Sequence, residues 1–266
     1  MLPAAISRRI NAERIVLVGW VRALFLQLAH PLIAAGVAEH STFRGSTMSG
    51  LSRLHQTIGA MLALTFGDDR QREDALEAIR TIHRRVHGTL PAACGCFPAG
   101  TPYSAEDPAL LLWVHATLVE SIVEVYERLV TPLNGIERDE YCADSAEVAV
   151  ALGAHSEDVP RSWQSLKAYI AAQYAAGAIA PGGQARELAA ALRSPVHGPA
   201  GAPLTVLVTL MAAGLLPAPV REAYGFDWSR GRARSFDAAM TALRAARAIT
   251  PRMIAWWPEA RTTRDL

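Results

Sequence analysis

Lysine is almost missing from this chain. Lys167 is the one lysine among 266 residues, so 25 of the 26 basic residues are arginines, a bias that fits a GC-rich, alanine-rich coding sequence and carries no function by itself. A surplus of charge is missing too: 26 basic against 25 acidic residues leave a net charge of +1, and no basic block marks a nucleic-acid partner. Cysteine is scarce. Cys94, Cys96 and Cys142 are too few, and odd in number, for a disulfide framework, so a reducing, cytoplasmic location is expected. Cys94-Gly-Cys96 lacks the second ligand pair of a zinc site and reads as two incidental thiols. No basic, apolar and small-residue segments follow one another at the N-terminus as in a secretion signal. The apolar run Ile15–Ala38 is broken by Arg22, Gln27, His30 and Pro31, short of the roughly 20 clean residues of a membrane span. No integral span is expected, while peripheral membrane contact and homo-oligomerisation stay open.

Familiar catalytic signatures are absent as well. There is no Glu-x-x-His for a ferritin-like di-iron site, no His-Glu-x-x-His zinc motif, no Gly-x-Ser-x-Gly elbow, and no Walker or dinucleotide fingerprint. His83 and His87 form one His-x-x-x-His pair, but the several membrane spans of integral di-iron hydroxylases are lacking.

What is present is helix periodicity from end to end and no convincing strand, which gives an all-α, single-domain bundle over residues 1–266. The first helical stretch, 8–40, divides at Pro31, because proline removes an interior hydrogen bond. Ser41–Gly50 reads as a loop, and helices are expected over 51–66, 69–87, 137–153 and 160–176. A short helix follows Pro181-Gly-Gly183. The Pro/Gly-rich stretch Ser194–Pro203 leads to an apolar helix over 204–216 that must pack on what precedes it, and a last long helix covers 231–247. Thr89–Glu106, rich in Pro and Gly, is a long structured loop of the kind that is often functional.

That loop delivers the chain to its best-marked helix, Asp107–Leu129. Asp107 is placed to cap it and Pro108 suits the first helical position. Leu111, Val114, Leu118, Ile122, Val125 and Leu129 recur at three- and four-residue spacing as the core stripe, with Glu120, Glu124 and Glu127 mostly opposite. His115 falls inside the stripe, so its ring nitrogens need a partner. On this helix alone, an ordinary core histidine is the better account. His30 and His83 share the pattern, an imidazole on an apolar face, and Arg80, Arg84 and Arg85 flank His83. Positive charge near a helix C-terminus is also favourable on dipole grounds alone. Three such histidines, two with arginines beside them, would meet the needs of a helical haem site, an iron ligand, an apolar slot and partners for the propionates, but on the pattern alone ordinary core histidines remain the commoner case.

An ordered set of motifs then carries a resemblance. Gln27-Leu-Ala-His30-Pro31 followed by Gly36-Val37 and His40-Ser41, Ile82-His83-Arg-Arg-Val86-His87-Gly88, Asp107-Pro through Trp113-Val-His115-Ala116, Glu137-Arg-Asp-Glu-Tyr141, and Met253-Ile-Ala-Trp-Trp-Pro258 together resemble the MpaB-type oxygenase family, which shares its catalytic domain with the rubber oxygenases. The resemblance implies a distantly globin-like helical domain with one haem b and oxidative cleavage of a C=C bond in an apolar, prenyl-type substrate by dioxygen. It makes His115, followed by Ala116, the axial iron ligand. Arg80-Thr-Ile-His83 takes the register of an arginine and a distal lysine, with histidine replacing the lysine. His83 is then a second axial ligand or a distal hydrogen-bond donor. Arg84 or Arg80 pairs with a propionate, and His30 and His87 belong to the cofactor pocket. Leu24, Phe66 and Trp113 are candidates for shaping the substrate pocket. A non-catalytic haem sensor or carrier, and a cofactor-free helical scaffold, are the alternatives.

Overall fold

The computed structural model describes residues 5–40, 47–192 and 202–261. Fourteen α-helices carry the described chain: α1 (Ala5–Asn11), α2 (Leu17–Leu28), α3 (Pro31–His40), α4 (Thr47–Phe66), α5 (Asp69–His83), α6 (Pro108–Leu129), α7 (Gly135–Leu152), α8 (Trp163–Ala175), α9 (Gly183–Leu192), α10 (Ala202–Leu215), α11 (Ala218–Ala223), α12 (Arg230–Ile249), α13 (Arg252–Ala255) and α14 (Pro258–Arg261). The all-α expectation holds in its main part, with one correction. His87–Thr89 (β1) and Pro102–Ser104 (β2) pair antiparallel, Gly88 opposite Tyr103, and this clasp ends α5 at His83 instead of 87. Three-residue strands are too short for alternation to reveal them. Gly88 is required there, since a Cβ would sit 2.6 Å from the Tyr103 hydroxyl. The α4 helix starts at Thr47, within the expected loop, and most of the Pro/Gly-rich stretch from Ser194 lies outside the described residues.

The core is built around α6. Asp107 accepts from the Ala109 amide at 2.8 Å and Pro108 opens the helix, as expected. The buried face is wider than the expected stripe: Leu110 to Trp113, Ala116, Thr117 and Val119 to Val123 are all covered. The helix is long and apolar enough to cross a membrane, but 72% of its apolar window is buried inside the protein, as suits a core helix. Glu120, expected on the outer side, is buried. Its Oε2 takes Arg22 Nη1 at 2.8 Å, and its Oε1 takes the Lys167 ammonium from α8.

The partner of α6 is α2, which runs antiparallel to it. Gly19 lies against Ser121, where a Cβ would be 2.5 Å from the Ser121 carbonyl oxygen; the helices touch here with no side chain between them. One turn on, Arg22 reaches Glu120, the Ser121 hydroxyl at 2.7 Å and the Leu215 carbonyl of α10 at 2.9 Å. Two turns on, the Trp113 indole donates to Leu26 O at 3.2 Å and Gln27 Nε2 to Val114 O at 3.3 Å. Arg22 and Gln27, which break the apolar run in sequence, are therefore the polar rivets of a helix pair. At Pro31 the chain turns by 102° into α3, as proline demands. The break leaves the Ala29 carbonyl to accept from Ala180 N at 2.9 Å, which ties the α8–α9 loop to the bend.

The C-terminal helices close the other side. Met211 and Leu215 of α10 pack with Val125 and Leu129 of α6 and Phe236 of α12, which seats the apolar helix on the core as expected; its first half exposes Val206, Leu207 and Val208. Buried Glu13 clamps the tail from two directions. It takes the Arg247 guanidinium from the end of α12, with Nε on Oε2 at 2.5 Å, and the Trp256 indole at 2.8 Å.

Candidate functional site

Two imidazoles with a buried, unpaired ring nitrogen lie at the same end of the α2–α6 pair. His30, 5% exposed, stands at the α2–α3 bend, three residues beyond the Gln27–Val114 contact, and His115 follows Val114 directly. On the α6 side, Thr117 donates its hydroxyl back to Trp113 O at 2.9 Å and Val114 O at 3.0 Å. The carbonyl of Val114 thus holds Gln27 and Thr117 together, and these bonds fix the rotation of α6 where His115 leaves it.

His115 Nε2 is buried and finds no hydrogen-bond partner among the described residues. Burial lowers the ring's pKa to about 4, so at neutral pH it is an uncharged imidazole with a lone pair. A buried nitrogen without a partner is costly unless something outside the chain engages it. Around it, in the stretch of α6 from Leu110 to Val123, Val114, His115 and Leu118 are partly exposed, within one helical turn of each other, and the rest are buried. A neutral imidazole beside two partly exposed apolar side chains fits a haem-iron ligand, whose other demand is an apolar slot for the macrocycle.

His30 repeats the signature. Its Nδ1 is buried and without a partner among the described residues, and its pKa is lowered to about 4 by burial against the weaker opposing pull of Asp107. The Phe97 ring lies over it, 5.0 Å between centroids at 45°. Phe97 is held by two backbone bonds to Cys94, 2.9 and 3.1 Å, so the Cys94-Gly-Cys96 segment forms a tight turn covering His30. Among the described residues no group of three or more His, Cys, Asp and Glu could hold a bare metal ion.

The remaining predicted residues disperse. His83, the last residue of α5, is partly buried near Glu106, just before α6; burial lowers its pKa and Glu106 opposes the shift. Arg80 is committed to the end of α7, where Nε and Nη2 donate to Ala151 O at 3.2 and 2.7 Å and Nη1 meets Glu73 at 2.9 Å. Arg84 is exposed and donates to Glu77 and Thr81, both at 2.8 Å. His87 is exposed on β1, and its carbonyl meets His40 Nε2 at 3.0 Å. Trp113 is core, braced by its indole bond to Leu26. The sequence reading missed Phe97 as the cover of His30 and Gln27 as a brace beside His115. Gln27 carried a signal, a lone amide inside an apolar helix; Phe97, in an irregular loop, carried none.

With this geometry in place, comparison with known proteins is specific. Residues 7–245 match the family described as the catalytic domain of ER-bound oxygenase MpaB/B′ and rubber oxygenase. Two uncharacterized proteins, from Mycobacterium bovis and Mycobacterium tuberculosis, are each 26% identical over 240 residues, covering 86% of this chain and 87% of theirs. No solved structure matches. The match spans most of the chain and both helices of the candidate site, and the chain therefore belongs to the MpaB/rubber oxygenase catalytic-domain family.

Proposed function

We propose that this oxygenase-family protein is a haem b enzyme that oxidises an apolar substrate, in keeping with C=C cleavage of an isoprenoid-type chain, and that His115 would hold the iron. The observation that carries the reading is the partnerless, neutral Nε2 of His115, beside partly exposed Val114 and Leu118 in the buried middle of α6. When bound, the haem supplies dioxygen activation. The chain's own residues do the rest. Gln27 and Thr117 hold Val114, and through it the angle at which His115 leaves the helix. His30, covered by Phe97, would line the same end of the helix pair, and its uncharged ring keeps that end free of net charge at neutral pH. His83, near the start of α6, is the candidate distal group, neutral and able to donate one hydrogen bond. Arg80 serves in this reading as a brace between α5 and α7, because its donors are spent on Ala151 and Glu73. For Arg84 to meet a propionate it must first give up Glu77, a surface pair that is cheap to break.

Purification with haem supplied, followed by visible spectroscopy, tests the proposal. The native chain is expected to show a Soret band that His115→Ala loses or shifts strongly, while His87→Ala leaves it in place. An unchanged spectrum in His115→Ala removes His115 as the ligand, and a colourless native protein removes the haem. Oxygen uptake in the presence of an alkene or isoprenoid separates turnover from mere haem binding.

A further inference from the structure

The corner between α12 and α13 breaks the ordinary rule for surfaces. Ile249, Met253 and Ile254 are 85%, 73% and 63% exposed within six residues, which makes this the most exposed apolar cluster in the described chain. It is not a loose end. Glu13 grips Arg247 two residues before the corner and Trp256 two residues after it, Ala255 and Trp256 are buried with Ala12 and Ala260, and Trp257 N donates to Ala12 O at 3.0 Å. Backbone groups of the corner are paired internally: Thr250 N with Arg247 O, and Ile254 N and Ala255 N with Pro251 O; the Thr250 hydroxyl is spent on Ala246 O. A rigid protrusion with apolar side chains outward and its polar groups satisfied is what can enter a non-aqueous layer without leaving donors stranded.

Its surroundings select the layer. Around the corner, from Arg244 to Arg261, the chain has four arginines and one acid, and of the four Arg247 is spent on buried Glu13. At the corner itself, Arg252 stacks on Trp256, 4.8 Å from ring centroid to guanidinium carbon, and stays exposed; Arg261 is exposed beside it, and Arg244 forms no ion pair among the described residues. In the adjoining cleft, Glu137 is already paired with Arg9, which leaves Glu140 to face Arg252 there. A second copy of the chain is a poor occupant. A twofold contact through the corner would bring Arg252 toward its own copy, and three side chains fall far short of the roughly 800 Å² per partner of a stable interface. A layer with acyl chains below and anionic groups above meets both halves of the patch.

We propose that Ile249, Met253 and Ile254 form a membrane-insertion knob, and that Arg244, Arg252 and Arg261 dock it onto anionic lipid headgroups, making the protein a peripheral, monotopic binder. This assignment does not depend on the cofactor.

Co-sedimentation of the full chain with vesicles of phosphatidylcholine alone, or mixed with phosphatidylserine, tests it. The protein is expected to partition onto the mixed vesicles, less onto phosphatidylcholine alone, and to be released by salt. Ile249→Ser/Met253→Ser/Ile254→Ser is expected to weaken partitioning on the order of a thousandfold, since each of the three buried apolar side chains is worth about tenfold or more. Arg244→Gln and Arg252→Gln are each expected to cost about fivefold and to flatten the salt dependence. Val206→Ser/Leu207→Ser on α10 serves as the control and leaves binding unchanged. The substituted positions are exposed, so circular dichroism and Tm should match the native chain; the arginine variants carry the test if the triple variant does not fold. Absence of binding to mixed vesicles, native-like binding by the triple variant, or loss of binding only in the α10 control overturns the proposal. So does a concentration-dependent dimer that the triple variant abolishes in the absence of vesicle binding.

Discussion

Replacing Arg22 with methionine tests the account of the α2–α6 pair directly. Arg22 and Glu120 have side chains only 6% exposed, and Arg22 also supplies the Ser121 hydroxyl and the Leu215 carbonyl. Methionine approximates the shape of the stem but leaves Glu120 buried with Lys167 as its one remaining cation, on a side chain that is half in solvent. Removing one member of a buried pair typically costs about 3–5 kcal/mol, because the other charge stays desolvated. At about 2–4 °C per kcal/mol for a chain of this size, Tm should fall by roughly 6–20 °C. The effect carries a pH signature. Burial pushes the Glu120 carboxyl up, but Arg22 and Lys167 outweigh it and hold the group below the usual carboxylate range. In the native protein the pair's contribution is therefore present above the unfolded-state pKa and is lost as pH falls through the lower folded value. In the variant the Arg22 contribution is gone, so the carboxyl's pKa rises and protonation relieves the penalty sooner. The gap between the two Tm curves should narrow as pH drops from 7 toward 4. Adding Glu120→Leu to Arg22→Met should restore most of the loss. Thermal denaturation of the three proteins across pH is the measurement; a loss below about 1 kcal/mol, or a double variant no better than the single one, would refute the reasoning.

Gly19→Ala puts a methyl 2.5 Å from the Ser121 carbonyl oxygen, which is backbone and cannot swing aside, so the helices must part; about 1–3 kcal/mol of stability should be lost, and an unchanged Tm would show that the contact yields freely. His30 predicts an acid slope. Its folded pKa of about 4 lies below the ordinary 6.5, so the unfolded chain takes the proton first, and stability declines as pH falls through that window. His30→Leu should flatten Tm against pH between those values by the equivalent of about 3 kcal/mol, and parallel curves for the two proteins would contradict the burial of that ring.

How much of this was legible in the sequence follows the range of each interaction. The capped start of α6, the break at Pro31 and the helical class are local, written in Asp107-Pro108, in a proline between apolar runs and in three- and four-residue spacing. His115 was legible as an imidazole on an apolar face, and the structure adds that its Nε2 lacks a partner. What depended on distant residues was not legible. Glu120 reads as a solvent-side acid until Arg22, 98 residues away, is seen to bury with it. Arg80 reads as a propionate partner until Ala151 O, 71 residues away, is seen to occupy it. Gly19 gives no signal at all, because its role is to be absent where Ser121 passes.

That contact at Gly19 also sets the mechanics of the pair. Gly19 and Gln27 are eight residues apart on α2, about 12 Å along the helix axis. Backbone meets backbone at one end, and two side-chain hydrogen bonds, Trp113 to Leu26 O and Gln27 to Val114 O, span the other, where Val114 leads into His115. The pair then works as a lever with its fulcrum at Gly19 and Ser121. A small tilt imposed at the fulcrum arrives magnified at the end that carries His30 and His115. A homologue that needs a wider or narrower opening beside His115 can obtain it by changing one small residue far from the opening, with every side chain that lines it left in place.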